Sequence, residues 1–102
     1  MVIGREPMTG AELIAAERER QVEWEGWTPE HDDEHESGEL ARAGAIYAEQ
    51  AGRDWGELLH APYGWPWDEQ WWKPTGDAVR DLTKAGALIA AEIDRLQRRS
   101  ER

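Results

Sequence analysis

The chain has 102 residues, 22 acidic and 12 basic side chains, a formal net charge of −10 and no cysteine. That length supports one domain. The absence of cysteine excludes disulfides, thiolate metal sites and a cysteine nucleophile, and the acidity argues against direct nucleic-acid binding, which needs a basic face. Seven Trp residues, with no Phe, set the chain apart from a disordered acidic tail.

Residues 1–8 read as an N-terminal tail without signal-peptide character. Thr9 with Glu12 has the capping-box pattern and predicts a first helix over 9–25, ended by Gly26. Its alternating Glu17, Arg18, Glu19 and Arg20 suit a solvated outer face. Thr28-Pro29-Glu30 predicts a second start, a short acidic helix over 28–37 limited by Gly38. The acidity is concentrated here: residues 23–39 hold eight acids and no Lys or Arg, and outside them 14 acids face 12 bases.

A helix over 39–51 presents Leu40, Ala43, Gly44 and Tyr47 on one face, with Ile46 beside them, and Gly52 as its stop. Residues 52–76 hold Pro62, Pro66 and Pro74 with Gly56, Gly64 and Gly76, so regular structure cannot run far; a short hairpin at 62–67 is the alternative to an irregular connector. The last helix, over 77–98, is the most strongly patterned. Val79, Leu82, Gly86, Ile89, Ile93 and Leu96 step by 3, 4, 3, 4 and 3, the spacing of a packed seam. Asp77 at its start and Arg95, Arg98, Arg99 and Arg102 towards its end complement the helix dipole. The expected fold is mainly α: one small domain of three principal helices plus a short one, closed by a Trp-rich irregular loop. No apolar run approaches the roughly 20 residues that span a bilayer, so a soluble, cytoplasmic protein with no membrane partner is expected.

Three constellations carry candidate chemistry. In Trp65-Pro66-Trp67 an extended backbone puts both indoles on one side. With Trp27 and Trp72 they offer stacking plates, and Lys73 and Arg80 bring cations that suit a phosphate, so a nucleotide-like small molecule is the expected ligand. Trp24 and Trp55 read instead as core, while the adjacent Trp71 and Trp72 must diverge. The segment His31-Asp32-Asp33-Glu34-His35 sets two imidazoles at i and i+4, and with Asp32 and Asp33 it is the alternative, a divalent-metal site for a phosphohydrolase. Glu17, Glu39, Asp77 and Asp81 are the third set. Arg42 follows Glu39, and Arg80 follows Asp77, at i+3, which reads as intrahelical ion pairing rather than a Mg²⁺ site. Binding without catalysis, and without a cofactor, is therefore the expected role.

The segments Glu25–His35 (EGWTPEHDDEH), Gly38–Ala41 (GELA), Trp65–Trp67 (WPW), Trp71–Pro74 (WWKP) and Arg80–Leu96 (RDLTKAGALIAAEIDRL) resemble a family of small tailed-phage proteins, over most of residues 11–97. That resemblance implies expression in a bacterial cytoplasm during infection, and no particular activity. A more partial resemblance is to the ryanodine-receptor repeat domain, through Arg20, Gly26-Trp27-Thr28, Pro62-Tyr63, Lys73 and the final helix. It implies a helical ligand-binding module for adenine nucleotides, although the acidic insert at 30–36 and the additional Trp residues depart from it. Two further expectations follow. Gly/Ala-rich seams on the 39–51 and 77–98 helices suggest self-association, and the acidic 23–39 surface offers a rival role as a docking face for a basic host protein or a nucleic-acid mimic.

Overall fold

The computed structural model describes residues 8–100. It is mainly helical, with five α-helices of which three are long, and no strand among the described residues. The long helices are α1 (Gly10–Glu25), α3 (Glu39–Gln50) and α5 (Ala78–Ser100); the single turns α2 (Pro29–Asp32) and α4 (Trp55–Leu58) and a 3-10 turn at Glu69–Trp71 lie in the connections. The expected tail, apart from Met8, and Arg102 lie outside the described residues.

The ends of the helices follow their capping chemistry. Thr9 and Glu12 form the reciprocal capping box of α1, and Gly26 ends it at φ 73°. The Thr28 hydroxyl accepts from the His31 amide to start α2, with Pro29 in its first turn. The acidic helix is shorter than expected: it stops at Asp32, and turns carry the chain to Gly38, whose φ of 80° precedes α3. The 52–76 connector contains α4 and the 3-10 turn rather than a hairpin.

Helix α5 lies between α3 and α1, with α2 against it as well. The core joins Leu40, Ala43, Ile46 and Tyr47 of α3 to Ala85, Leu88 and Ala91 of α5, and Leu58 and Trp72 of the connector close over them. The close approach of α3 and α5 depends on Gly44. A Cβ placed there would sit 3.0 Å from the Ala85 carbonyl oxygen and 2.9 Å from Cγ1 of Ile89. On the other side Ile14 of α1 seats against Gly86, where a Cβ would lie 2.7 Å from its Cγ1.

Two sequence expectations are reversed. First, the 79–96 stripe of α5 faces solvent: Val79, Leu82, Ile89, Ile93 and Leu96 are between 42% and 61% exposed. The helix turns Asp81, Glu92 and Arg95 inward instead, beside Ala85, Ala87, Leu88 and Ala91. Second, the charged run of α1 is not a solvated face. Glu17 and Gln21 are both buried, and Arg18 reaches across to Asp32. The molecule is correspondingly flat, with extents of 49 × 37 × 20 Å.

Candidate functional site

An aromatic chain runs across the connector side of the molecule. Because Thr28-Pro29 starts α2, Trp27 and His31 are four residues apart across that turn, and their rings stack with centroids 5.9 Å apart and planes within 4°. His31 meets His35 edge-on at 5.0 Å, and His35 meets Trp67 at 5.2 Å. Trp67 and Trp65 are perpendicular at 5.5 Å, and Trp65 reaches both Tyr47, at 5.6 Å, and Trp72, at 5.1 Å. Perpendicular and tilted pairs suit the aromatic quadrupole, positive edge against negative face.

These rings enclose a half-open cavity of about 350 Å³, at the small end of the range for small-molecule pockets. Its walls are Trp27, Trp65, Trp67 and Trp71 with Tyr47; His31, His35 and Asp68 supply polar groups, and Leu88 reaches it from α5. The Nε1 of Trp65 donates to the Asp68 carbonyl at 3.2 Å, whereas that of Trp67 is buried without a hydrogen-bond partner. Burial pushes the Tyr47 phenol up to about 12, so its hydroxyl stays protonated while it accepts from the Lys73 amide at 3.0 Å.

The six expected ligand residues are divided by the structure. Trp27, Trp65 and Trp67 line the cavity. Trp72 does not: it is 7% exposed in the core, its Nε1 donating to the Leu58 carbonyl at 3.0 Å. Its neighbour Trp71 takes the place at the wall. Lys73 is not among the lining residues; its ammonium stands 5.1 Å from the centroid of the Trp71 ring. Arg80 is directed to α1, where its guanidinium pairs with Glu17 at 2.7 Å. Trp24 and Trp55, expected in the core, are exposed, so for these two the surface claims the indole. Tyr47 was legible only as a core position, and the apolar stripe read on the last helix did not include Leu88.

The histidine and aspartate cluster is also divided. His31 and His35 are ring neighbours in the cavity wall, but the Asp32 carboxylate is buried and occupied by Arg18 at 2.7 Å and His31 Nδ1 at 3.1 Å. Asp33 pairs with Arg98 at 2.7 Å. Among the described residues no three His, Asp or Glu side chains gather in a ligand set.

The helix carboxylates pair differently from the intrahelical expectation. Asp77 caps α5, accepting from the Val79 amide at 2.9 Å, and Glu39 accepts from the Ser37 amide at 2.7 Å. Backbone hydrogen bonds, its own amide's first and then that of Ser37, hold Glu39 below the usual carboxylate range. Asp81 is buried and takes Thr75, through both its amide and its hydroxyl, and the Gly76 amide, tying the end of the connector onto α5. Lys84 donates to the Lys73 carbonyl at 2.6 Å behind Tyr47, and burial first, with Arg80 second, lowers its pKa.

No protein-family model matches this chain, and comparisons with curated proteins and with solved structures likewise find no match.

Proposed function

We propose that this protein binds a planar small molecule of the nucleobase type in the aromatic cavity, and that it acts by holding the ligand rather than transforming it. The observation that carries the reading is the cavity wall: four indoles and a phenol around about 350 Å³, room for a base and its sugar. Stacking on aromatic faces contributes about 1–3 kcal/mol per base, so a few plates suffice for affinity. Lys73, its ammonium over the Trp71 ring, is the cation that would meet a phosphate outside the cavity. Arg80, engaged by Glu17, has no part in it. The resemblance to tailed-phage proteins extends the proposal to a role in the host bacterial cytoplasm, sequestering a nucleotide-type defence signal.

Asp68 favours a second reading. It is the carboxylate of the lining, and no Lys or Arg is among the lining residues. Aromatic walls with one acid also suit an organic cation, held by the ring quadrupoles.

Tryptophan fluorescence titration separates the two. Saturable quenching by AMP, ADP-ribose or a cyclic nucleotide, lost in Trp65→Ala and weakened in Lys73→Ala, supports the nucleotide reading. Saturation by a quaternary ammonium compound instead, weakened in Asp68→Asn, replaces it with the second. No response to either class overturns both.

A further inference from the structure

The exposed face of α5 is the least expected surface of the molecule. A helix that packs onto a domain normally turns its larger apolar residues inward and its charges outward, whereas α5 buries Asp81, Glu92 and Arg95 among small residues and Leu88 and leaves its aliphatic stripe exposed. From Ala78 to Leu96 its outward side carries Val79, Leu82, Ile89, Ile93 and Leu96, with Gly86 among them beneath Ile14 of α1, while Arg80, Asp81, Lys84, Glu92 and Arg95 lie on its buried or flanking sides. The small residues expected to mediate self-association are used inside the chain, Gly44 against α5 and Gly86 against Ile14. What remains bare is the large aliphatic set.

We propose that this face is the interface of a homodimer, in which α5 packs antiparallel against α5 of a second copy. The spacing 3, 4, 3, 4, 3 reads the same in both directions, so a two-fold axis between residues 87 and 88 is self-complementary. Val79 then meets Leu96 of the second copy, Leu82 meets Ile93, and Ile89 meets the contact between Ile14 and Gly86. The exposed halves of the five aliphatic side chains amount to roughly 450 Å² per chain, over half of the ~800 Å² per partner of a standard interface, before the flanking edges of α1 and α3 are added.

Charge selects both the partner and its direction. The stripe presents no charge for a polar partner to pair with. Two chains of net charge −10 approach each other only if their acidic segments stay apart. The middle of the acidic segment lies at the C-terminal end of α5, where Arg98 bonds Asp33 and the Pro29 carbonyl and where Asp33 and Glu36 share a small cleft with Arg95 and Arg99. A parallel pair would bring both acidic segments to one end. An antiparallel pair separates them by about the length of α5, on the order of 34 Å, several Debye lengths at physiological salt.

Sedimentation equilibrium of the wild-type protein at tens of micromolar should give a dimer, and Leu82→Glu and Ile93→Glu should give monomers with an unchanged circular dichroism spectrum. Because the chain lacks cysteine, direction is read separately: oxidised Leu82→Cys/Ile93→Cys should form a covalent dimer, and Leu82→Cys alone should not. A monomeric wild type overturns the proposal. A dimer that survives both Glu variants overturns the surface, and self-linking of Leu82→Cys overturns the direction. The wild-type and cross-linking measurements decide the matter even if a Glu variant fails to fold.

Discussion

Glu17 on α1 and Arg80 on α5 are joined at 2.7 Å, 63 positions apart in the chain, with the carboxylate side chain fully buried. The same carboxylate takes Arg20 at 2.8 Å and the Gln21 side-chain Nε2 at 3.1 Å. Helix α1 has no coherent apolar stripe, and this polar cluster, with Ile14 on Gly86, attaches it to the rest of the molecule. Removing one partner from such a cluster strands the others, which costs more than the interaction itself contributes. Glu17→Ala should therefore destabilise the protein by about 2 kcal/mol, and Arg80→Ala by about half as much because its guanidinium is partly solvated and Arg20 remains. Urea denaturation at neutral pH measures both.

Acid should dissolve the same cluster. Burial alone would raise the pKa of Glu17, but hydrogen bonds from Arg20 and Arg80 outweigh it and hold the group below its ordinary 4.5. A depressed carboxylate contributes stability that is complete above the unfolded value and is lost as pH falls towards the folded one. The stability difference between wild type and Glu17→Gln should be largest near neutrality and should shrink as the pH drops below 4.5. Urea midpoints of the two proteins across acidic pH give the comparison; a constant difference would contradict it.

Gly44→Ala tests the α3–α5 crossing. Alanine favours a helix over glycine by about 1 kcal/mol. Here the new methyl would meet the Ala85 carbonyl oxygen at 3.0 Å, a backbone atom that moves only if the helices part. Overpacking of this kind costs about 1–3 kcal/mol, so the net effect should be a loss of stability. A thermal melting point above that of the wild type would show that the helices are free to separate.

The Trp residues should divide by position. Trp72→Ala removes a buried ring whose Nε1 donates to the Leu58 carbonyl, and should cost about 3–5 kcal/mol. Trp24→Ala, at a position 78% exposed, should change stability by no more than about 0.5 kcal/mol. Chemical denaturation of the two variants reads this contrast directly.

Local chemistry was legible in the sequence. Thr9 and Glu12, Thr28 and Pro29, and Gly26 stand at helix ends where their own side chains or backbone freedom decide the outcome. The core face of α3 was legible too, because Leu40, Ala43 and Tyr47 have no competing apolar face on that helix. The orientation of α5 was not. Periodicity shows that Val79, Leu82 and Ile89 share one side, but it carries no sign that says which side meets the domain. The Glu17–Arg80 pair was equally hidden: each residue has an oppositely charged neighbour three positions away, Arg20 and Asp77, that explains its charge locally, and only the fold brings the two together. In the cavity, Trp65 and Trp67 followed from alternation about Pro66. The exchange between Trp71 and Trp72 depended on which of two diverging indoles Tyr47 and Leu58 would accept.

The flatness of the molecule bears on how it tolerates charge. At 20 Å across, it is about two helices thick, so no atom lies far from the bulk dielectric. Carboxylates such as Glu17 and Asp81 are covered, yet only a thin layer separates them from the solvent reaction field. The penalty for enclosing an ion persists, since burial is the largest influence on Glu17, and the guanidinium donors around that carboxylate offset it. Doubling of this slab through α5 would thicken it on the uncharged side and leave the ionic layers as close to water as before.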